Sequence, residues 1–259
     1  MSFNSLNFIW NGVSNTDMGI VLVRTMTGTI EQTFCSPKTI TSEHVRFNGS
    51  YYYGSDVLNY KLHFEVMKIN CDEEPLTLDE RKEITHYFMP DDNFHAFISE
   101  DFPELEFIVQ FTKAQFISYR KNVGVYELEC ESCSPYPFSE LMIASFISNE
   151  DDNIMQLANN CNAQPHFIPN SMTFTLRGDT TFFSMRNLNT GKLLEFKDLD
   201  KLEKITINNH NQILSNTGKI RFDNFNWGFE ALELQYGISD LEFSIGCEVE
   251  FQMQFPIMI

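Results

Sequence analysis

The sequence predicts a mostly β chain of two domains with one helix in the first, and three observations carry that prediction. Apolar residues recur at every second position over long stretches, most plainly at Leu241, Phe243, Ile245, Cys247, Val249, Phe251, Met253, Phe255 and Ile257, the pattern of strands with one buried face. Turn signals punctuate such runs at Asn48-Gly49, Arg177-Gly178-Asp179 and Asn189-Thr190-Gly191. Finally, 259 residues that are 42% hydrophobic, with 25 Phe, supply enough apolar surface for a real core and exclude a disordered chain.

In chain order, the first clear strand is predicted where Leu58, Tyr60, Leu62, Phe64 and Val66 alternate with Asn59, Lys61, His63 and Glu65. A helix follows over Leu78–Phe88. Thr77 and Glu80 have capping-box spacing, Asp79 and Glu80 sit in the first turn, Ile84 and Phe88 make an apolar stripe, and Pro90 ends it. Alternation returns at Leu105, Phe107, Val109 and Phe111, and at Tyr126, Leu128 and Cys130. It stops at Ser132-Cys133-Ser134-Pro135-Tyr136-Pro137 and resumes near Ala163-Gln164-Pro165. The domains are therefore drawn as 1–138 and 160–259, with 139–159 an acidic connector, an extra exposed strand at 141–146 being the alternative. Shorter strands are expected at 174–176, Leu193–Phe196 and 205–207. The run beginning at Leu241 would span ~56 Å at about 3.3 Å per residue, too long for one strand, so a bulge or hairpin turn is expected at Gly246.

Function classes fall away in turn. No stretch approaches 18 consecutive apolar residues and the N-terminus lacks a secretory signal, so no membrane insertion is expected. Asp plus Glu is 36 against 18 Lys plus Arg, a formal net charge of −18. That disfavours sequence-specific nucleic-acid binding, which needs clustered cations, yet it suits a surface over which DNA slides without sticking. No P-loop, dinucleotide-binding, nucleophile-elbow or zincin motif is present. Cys130-Glu131-Ser132-Cys133 is one C-x-x-C without a second pair, so the six cysteines read as reduced core residues. The six histidines show no ligand spacing, and the sequon Asn48-Gly49-Ser50 reads as a turn. No residue is marked out as catalytic, cofactor-binding or metal-ligating, and the chain is not expected to be an enzyme. Tyr51, Tyr52 and Tyr53 must point to both faces of a strand, which makes them candidate contacts for a neighbouring subunit or partner.

Three groups of segments, in order, carry a resemblance. They are Phe8-Ile9-Trp10-Asn11-Gly12-Val13-Ser14 with Asp17-Met18-Gly19-Ile20; Gly124-Val125-Tyr126-Glu127-Leu128-Glu129-Cys130 with Ser134-Pro135-Tyr136-Pro137-Phe138; and Asn160-Cys161-Asn162-Ala163-Gln164-Pro165 with Tyr236-Gly237 and the alternating tail. Together they resemble the distal tail proteins of long-tailed, siphovirus-type bacteriophages, over nearly the whole chain. The family often carries Gly-Arg-x-Gly where this sequence has Arg46-Phe47-Asn48-Gly49, and there is no room for the inserted carbohydrate-binding modules of some members. The resemblance implies a virion structural protein of the baseplate or tail tip, made and assembled in the bacterial cytoplasm. Its barrel-like first domain would form a homo-hexameric ring that leaves a channel for DNA, and its second domain would be a galectin-like sandwich. Implied partners are the tail tube protein, the tape-measure protein, a tail-associated lysin or tip protein, and a receptor-binding or fibre protein; no cofactor is implied. Three other readings stay open: a carbohydrate-binding module using exposed aromatics such as Trp227 or Tyr236, a two-carboxylate polysaccharide-cleaving enzyme, and a tail-tube or baseplate protein of a phage-like particle.

Overall fold

The computed structural model describes residues 5–23, 38–45, 49–68, 77–118, 124–164 and 166–258. The chain is mostly β and divides into two compact units, one ending at Phe138 and the other spanning Ser139–Ile257.

The main sheet of the first unit is antiparallel, in the spatial order Val13–Ser14, Phe8–Trp10, His95–Ser99, Leu105–Ser118, Gly124–Ser132, Lys61–Lys68, Ile20–Val23. Asn11 and Gly12, both left-handed, make the two-residue turn of its first hairpin. Just beyond, Asn15 is fully buried. Its Oδ1 accepts from the Phe8 amide at 2.8 Å and its Nδ2 donates to the carbonyls of Ile20 (2.7 Å) and Leu6 (3.2 Å), which ties the hairpin to the strand at the far end of the sheet order. Leu62, Phe64 and Val66 are buried as the alternation predicts, while Leu58 and Tyr60 precede the strand and Leu58 is exposed.

The strand predicted at 105–111 continues to Ser118. A bulge between Phe111 and Lys113 leaves Thr112 outside the register. One extra residue moves the apolar face from odd to even positions, so Phe116 packs on Tyr126 (ring centroids 5.2 Å apart) although the simple alternation ends at Phe111. The helix is Leu78–Phe88, with the Thr77–Glu80 capping box formed and Ile84 and Phe88 buried. Its Phe88 ring meets Phe111 at 5.0 Å, and Phe111 meets Trp10 edge-on at 4.7 Å, so the helix closes an aromatic core.

The second unit is a sandwich. Among the described residues, one sheet runs Met142–Ser148, Cys247–Met253, Ser171–Leu176, Lys204–Asn208, Ile213–Ser215, and the other Ile154–Asn159, Gly237–Phe243, Phe183–Asn187, Leu193–Phe196. Phe174 of the first sheet stacks on Phe183 of the second at 3.7 Å and 2°, in a core that includes Leu241, Phe243, Val249 and Phe251. Two expectations differ here. The stretch 139–159 is not a bare connector, since it supplies an edge strand to each sheet, paired with Cys247–Met253 and Gly237–Phe243 respectively. Gly246 (φ +80°) marks neither a bulge nor a hairpin, because the strands on either side of it belong to different sheets. The chain crosses the sandwich there, and the alternation persists because both inner faces meet one core.

Candidate functional site

The groups with reactive chemistry are held in unreactive settings. Burial pushes the Cys130 thiol up to about 12 and the Cys247 thiol up to about 11, far from the depressed values of nucleophilic cysteines. Cys133 is exposed just past the strand that holds Cys130, and burial of its thiol raises it too. Cys35 and Cys71 lie outside the described residues. Among the described residues, no group of three or more His, Cys, Asp or Glu is placed to hold a metal ion, and no helix is long and apolar enough to cross a membrane.

One surface is charged. On the outer face of the first unit's sheet, Lys61 stands opposite Glu131, His63 opposite Glu129 and Glu65 opposite Glu127. Lys113 on the adjoining strand reaches Glu129 at 2.8 Å and Glu127 at 3.5 Å. Its bond to Glu129 raises the Lys113 ammonium and lowers the Glu129 carboxyl. These pairs are half-exposed and add little stability. Their sum is a face with four carboxylates against two lysines and a histidine, around a depression of about 280 Å³ lined by His63, Phe64, Glu65, Glu127, Leu128 and Glu129.

A second candidate is a hairpin. Lys38–Val45 and Gly49–Val57 pair with each other in a two-stranded sheet, with no third strand among the described residues. Tyr51 stands opposite Glu43 and Tyr52 opposite Ser42, and Tyr53 falls in a register shift between Thr41 and Ser42. The side chains of the three tyrosines lie outside the described residues. A two-stranded ribbon is marginal by itself in water.

The third is an aromatic platform in the second unit. Trp227 is 63% exposed and stacks on Phe222 (5.5 Å, 20° between planes). Beneath it Phe225 is buried and stacks on Phe196. The loop is pinned along the edge strand Leu193–Phe196: the Asn226 amide nitrogen donates to the Leu193 carbonyl at 3.0 Å, and its Oδ1 accepts from the amides of Glu195 (2.9 Å) and Gly228 (3.1 Å). Gly228 is required, because a Cβ there would lie 2.1 Å from the Leu193 carbonyl oxygen. Trp227 adopts φ +59°, a left-handed conformation that costs a non-glycine residue about 1–2 kcal/mol and persists only where surrounding contacts fix it. Tyr236, the other aromatic singled out by sequence, is 68% exposed. Trp227 is legible in the sequence as an exposed aromatic, but nothing local signals its stacking on Phe222.

Comparison with known proteins adds the following. The model of a phage tail protein N-terminal domain family matches residues 3–134, and that of a phage tail C-terminal domain family matches residues 136–253. Among solved structures, the chain is similar to the Dit protein of phage SPP1, described as a paradigm of the hub adsorption apparatus in phages that infect Gram-positive bacteria. The TM-score is 0.70 at 11% identity, covering 96% of this chain and 98% of that one. A chain of the phage P2 baseplate in its activated conformation with Ca aligns at TM-score 0.47 and 11% identity, over 92% of this chain and 91% of that one. No curated protein matches the sequence.

Proposed function

The chain belongs to the phage tail protein family whose N- and C-terminal domain models it matches, and from that premise we propose that it is the distal tail, or baseplate hub, protein, six copies of which close into a ring. The observation that carries the reading is the fold likeness to the SPP1 hub protein along nearly the whole length of both chains. In this reading the first unit, 1–138, forms the ring and the second is a galectin-like sandwich. The ring joins the tail tube to the tip and receptor-binding proteins at the distal end of the virion, and DNA passes through its channel. The protein acts by assembly and not by catalysis.

Two surfaces support the assignment. The strands Lys38–Val45 and Gly49–Val57 pair only with each other among the described residues, so a strand of a neighbouring copy or of the tail tube could extend their sheet. Tyr51, Tyr52 and Tyr53 on it are the proposed contact residues. The acidic face around Glu65, Glu127, Glu129 and Glu131 suits a channel wall, because it repels the phosphate backbone and offers DNA no cluster of cations to grip.

The test is light-scattering mass across a concentration series with negative-stain imaging of the large species. Rings with a mass near six times 30.1 kDa are expected. If no ring forms at high concentration, nor when tail tube protein is present, the hub reading is wrong.

A further inference from the structure

We propose that the Trp227–Phe222 platform is a saccharide site, which takes a neutral pyranose unit of a polysaccharide on its aromatic face. Four observations lead there. First, the site is preformed: Trp227 is stacked on Phe222 with the ring planes 20° apart, and the Asn226 and Gly228 contacts fix the loop before any ligand arrives. Binding on it orders nothing further, which is where weak ligands gain most.

Second, the platform is exposed at a conformational cost. Glycine or asparagine is the ordinary occupant of a left-handed position, yet Trp227 is held there with 63% of its surface in water. Its ring contacts with Phe225 (6.1 Å) and Phe229 (6.3 Å) still leave most of the side chain in water.

Third, size favours a sugar over a protein. A stable protein interface takes about 800 Å² from each partner, whereas one aromatic side chain offers at most about 250 Å². The exposed surface of one tryptophan, backed by Phe222, matches a single sugar ring.

Fourth, the chemistry around the rings is that of a hydroxylated, uncharged ligand. Asp223, exposed on the same short 3-10 turn as Phe222, offers acceptors for sugar hydroxyls. The flanking cations Lys192 and Lys197 are each paired with a carboxylate, Glu230 and Glu195. Balanced flanks give an anionic ligand no handle, while the apolar C–H face of a pyranose packs on the rings.

The inference stands whether or not copies close into a ring, since every residue it uses belongs to the second unit of one copy. The test exploits the two tryptophans: Trp10 is 1% exposed and Trp227 is 63% exposed, so acrylamide quenching reports mainly on Trp227. The full chain is titrated with methyl pyranosides of glucose, galactose and N-acetylglucosamine, and with short oligosaccharides of each. Saturable protection of the quenchable emission is expected with at least one, at millimolar concentration or below. Trp227→Gly should weaken binding, read by calorimetry, about tenfold or more while the chain keeps a cooperative melt, because glycine relieves the left-handed backbone as the ring contacts are lost. Trp227→Phe should keep part of the affinity, and Phe222→Ala should lose it while emission from Trp10 shows the fold intact. The proposal is overturned if no saccharide gives a saturable change, if Trp227→Gly binds as tightly as the parent, or if Trp227 becomes protected only when another tail protein is added, which would make the platform a protein contact.

Discussion

Glu203 is fully buried and ionised, a state that survives only because its oxygens are met on every side. Arg221 donates through Nε at 2.8 Å, the Asp200 amide donates at 2.8 Å, and the hydroxyls of Ser215 and Thr217 complete the set. Burial by itself would raise the carboxyl; the bonds from Arg221, Ser215 and Asp200 outweigh it and hold the group at about 2, below its ordinary 4.5. A depressed carboxyl contributes stability that is complete above 4.5 and is lost as pH falls toward 2. Arg221→Met leaves the charge without its cation and should cost about 3–5 kcal/mol at neutral pH. The deficit should shrink as pH drops through the carboxylate range, because the orphaned Glu203 then takes up a proton. Urea unfolding at pH 7 and pH 4 checks this. Adding Glu203→Gln, which keeps an acceptor and removes the charge, should recover much of the loss at pH 7; a deficit independent of pH would mean that the packing of the guanidinium matters and its charge does not.

At the scale of elements, the sequence was readable wherever the determining contacts were local. The helix is an example: Thr77 and Glu80 lie within one turn of each other and cap it as their spacing dictates. The strand carrying Leu62, Phe64 and Val66 was readable because Lys61, His63 and Glu65 alternate with them on the opposite face. The strand Met142–Ser148 was legible only as an alternative to a connector, since Ile143 and Ile147 on its outer face are apolar and exposed, which erases the period-two signal. The extension of the long strand past Phe111 was hidden by one bulged residue. Of the candidate site, the aromatic types at Trp227 and Tyr236 were visible, but the stacking of Trp227 on Phe222 depends on a loop pinned to the Leu193–Phe196 strand from more than twenty residues away, and no local pattern encodes that. The crossing at Gly246 is likewise a tertiary fact, and it is testable. A side chain there meets both φ +80° and Thr180 Oγ1 at 2.8 Å, so Gly246→Ala should destabilise by about 2 kcal/mol. Thr180→Ala in the same chain removes only the contact. Thermal melts should therefore show partial rescue, and complete rescue would mean that the backbone conformation carries no strain.

For the whole molecule, the charge that suits a channel also opposes the assembly that makes one. Each copy carries a formal −18, and in the proposed ring six copies would concentrate like charge in a small volume, which disfavours closure through repulsion. Within one copy the acidic face is partly neutralised, since Lys61 and Lys113 pair with its glutamates, but the formal net charge of −18 remains to repel other copies. Salt should relieve it. The screening length falls from about 30 Å at 0.01 M to about 10 Å at 0.1 M, so copies that repel across the channel at low ionic strength become nearly independent at moderate ionic strength. Mixed-charge interfaces behave in the opposite way, because screening removes their attraction. Sedimentation of the isolated protein in 0.01 M and 0.3 M sodium chloride distinguishes the two. Ring formation that strengthens with salt is expected if contacts between copies are mainly apolar or strand-to-strand, as the 38–57 strand pair, without a third strand among the described residues, favours. Dissociation at the higher salt would place ion pairs at the heart of the interface and shift attention from the tyrosine hairpin to the lysines of the first unit.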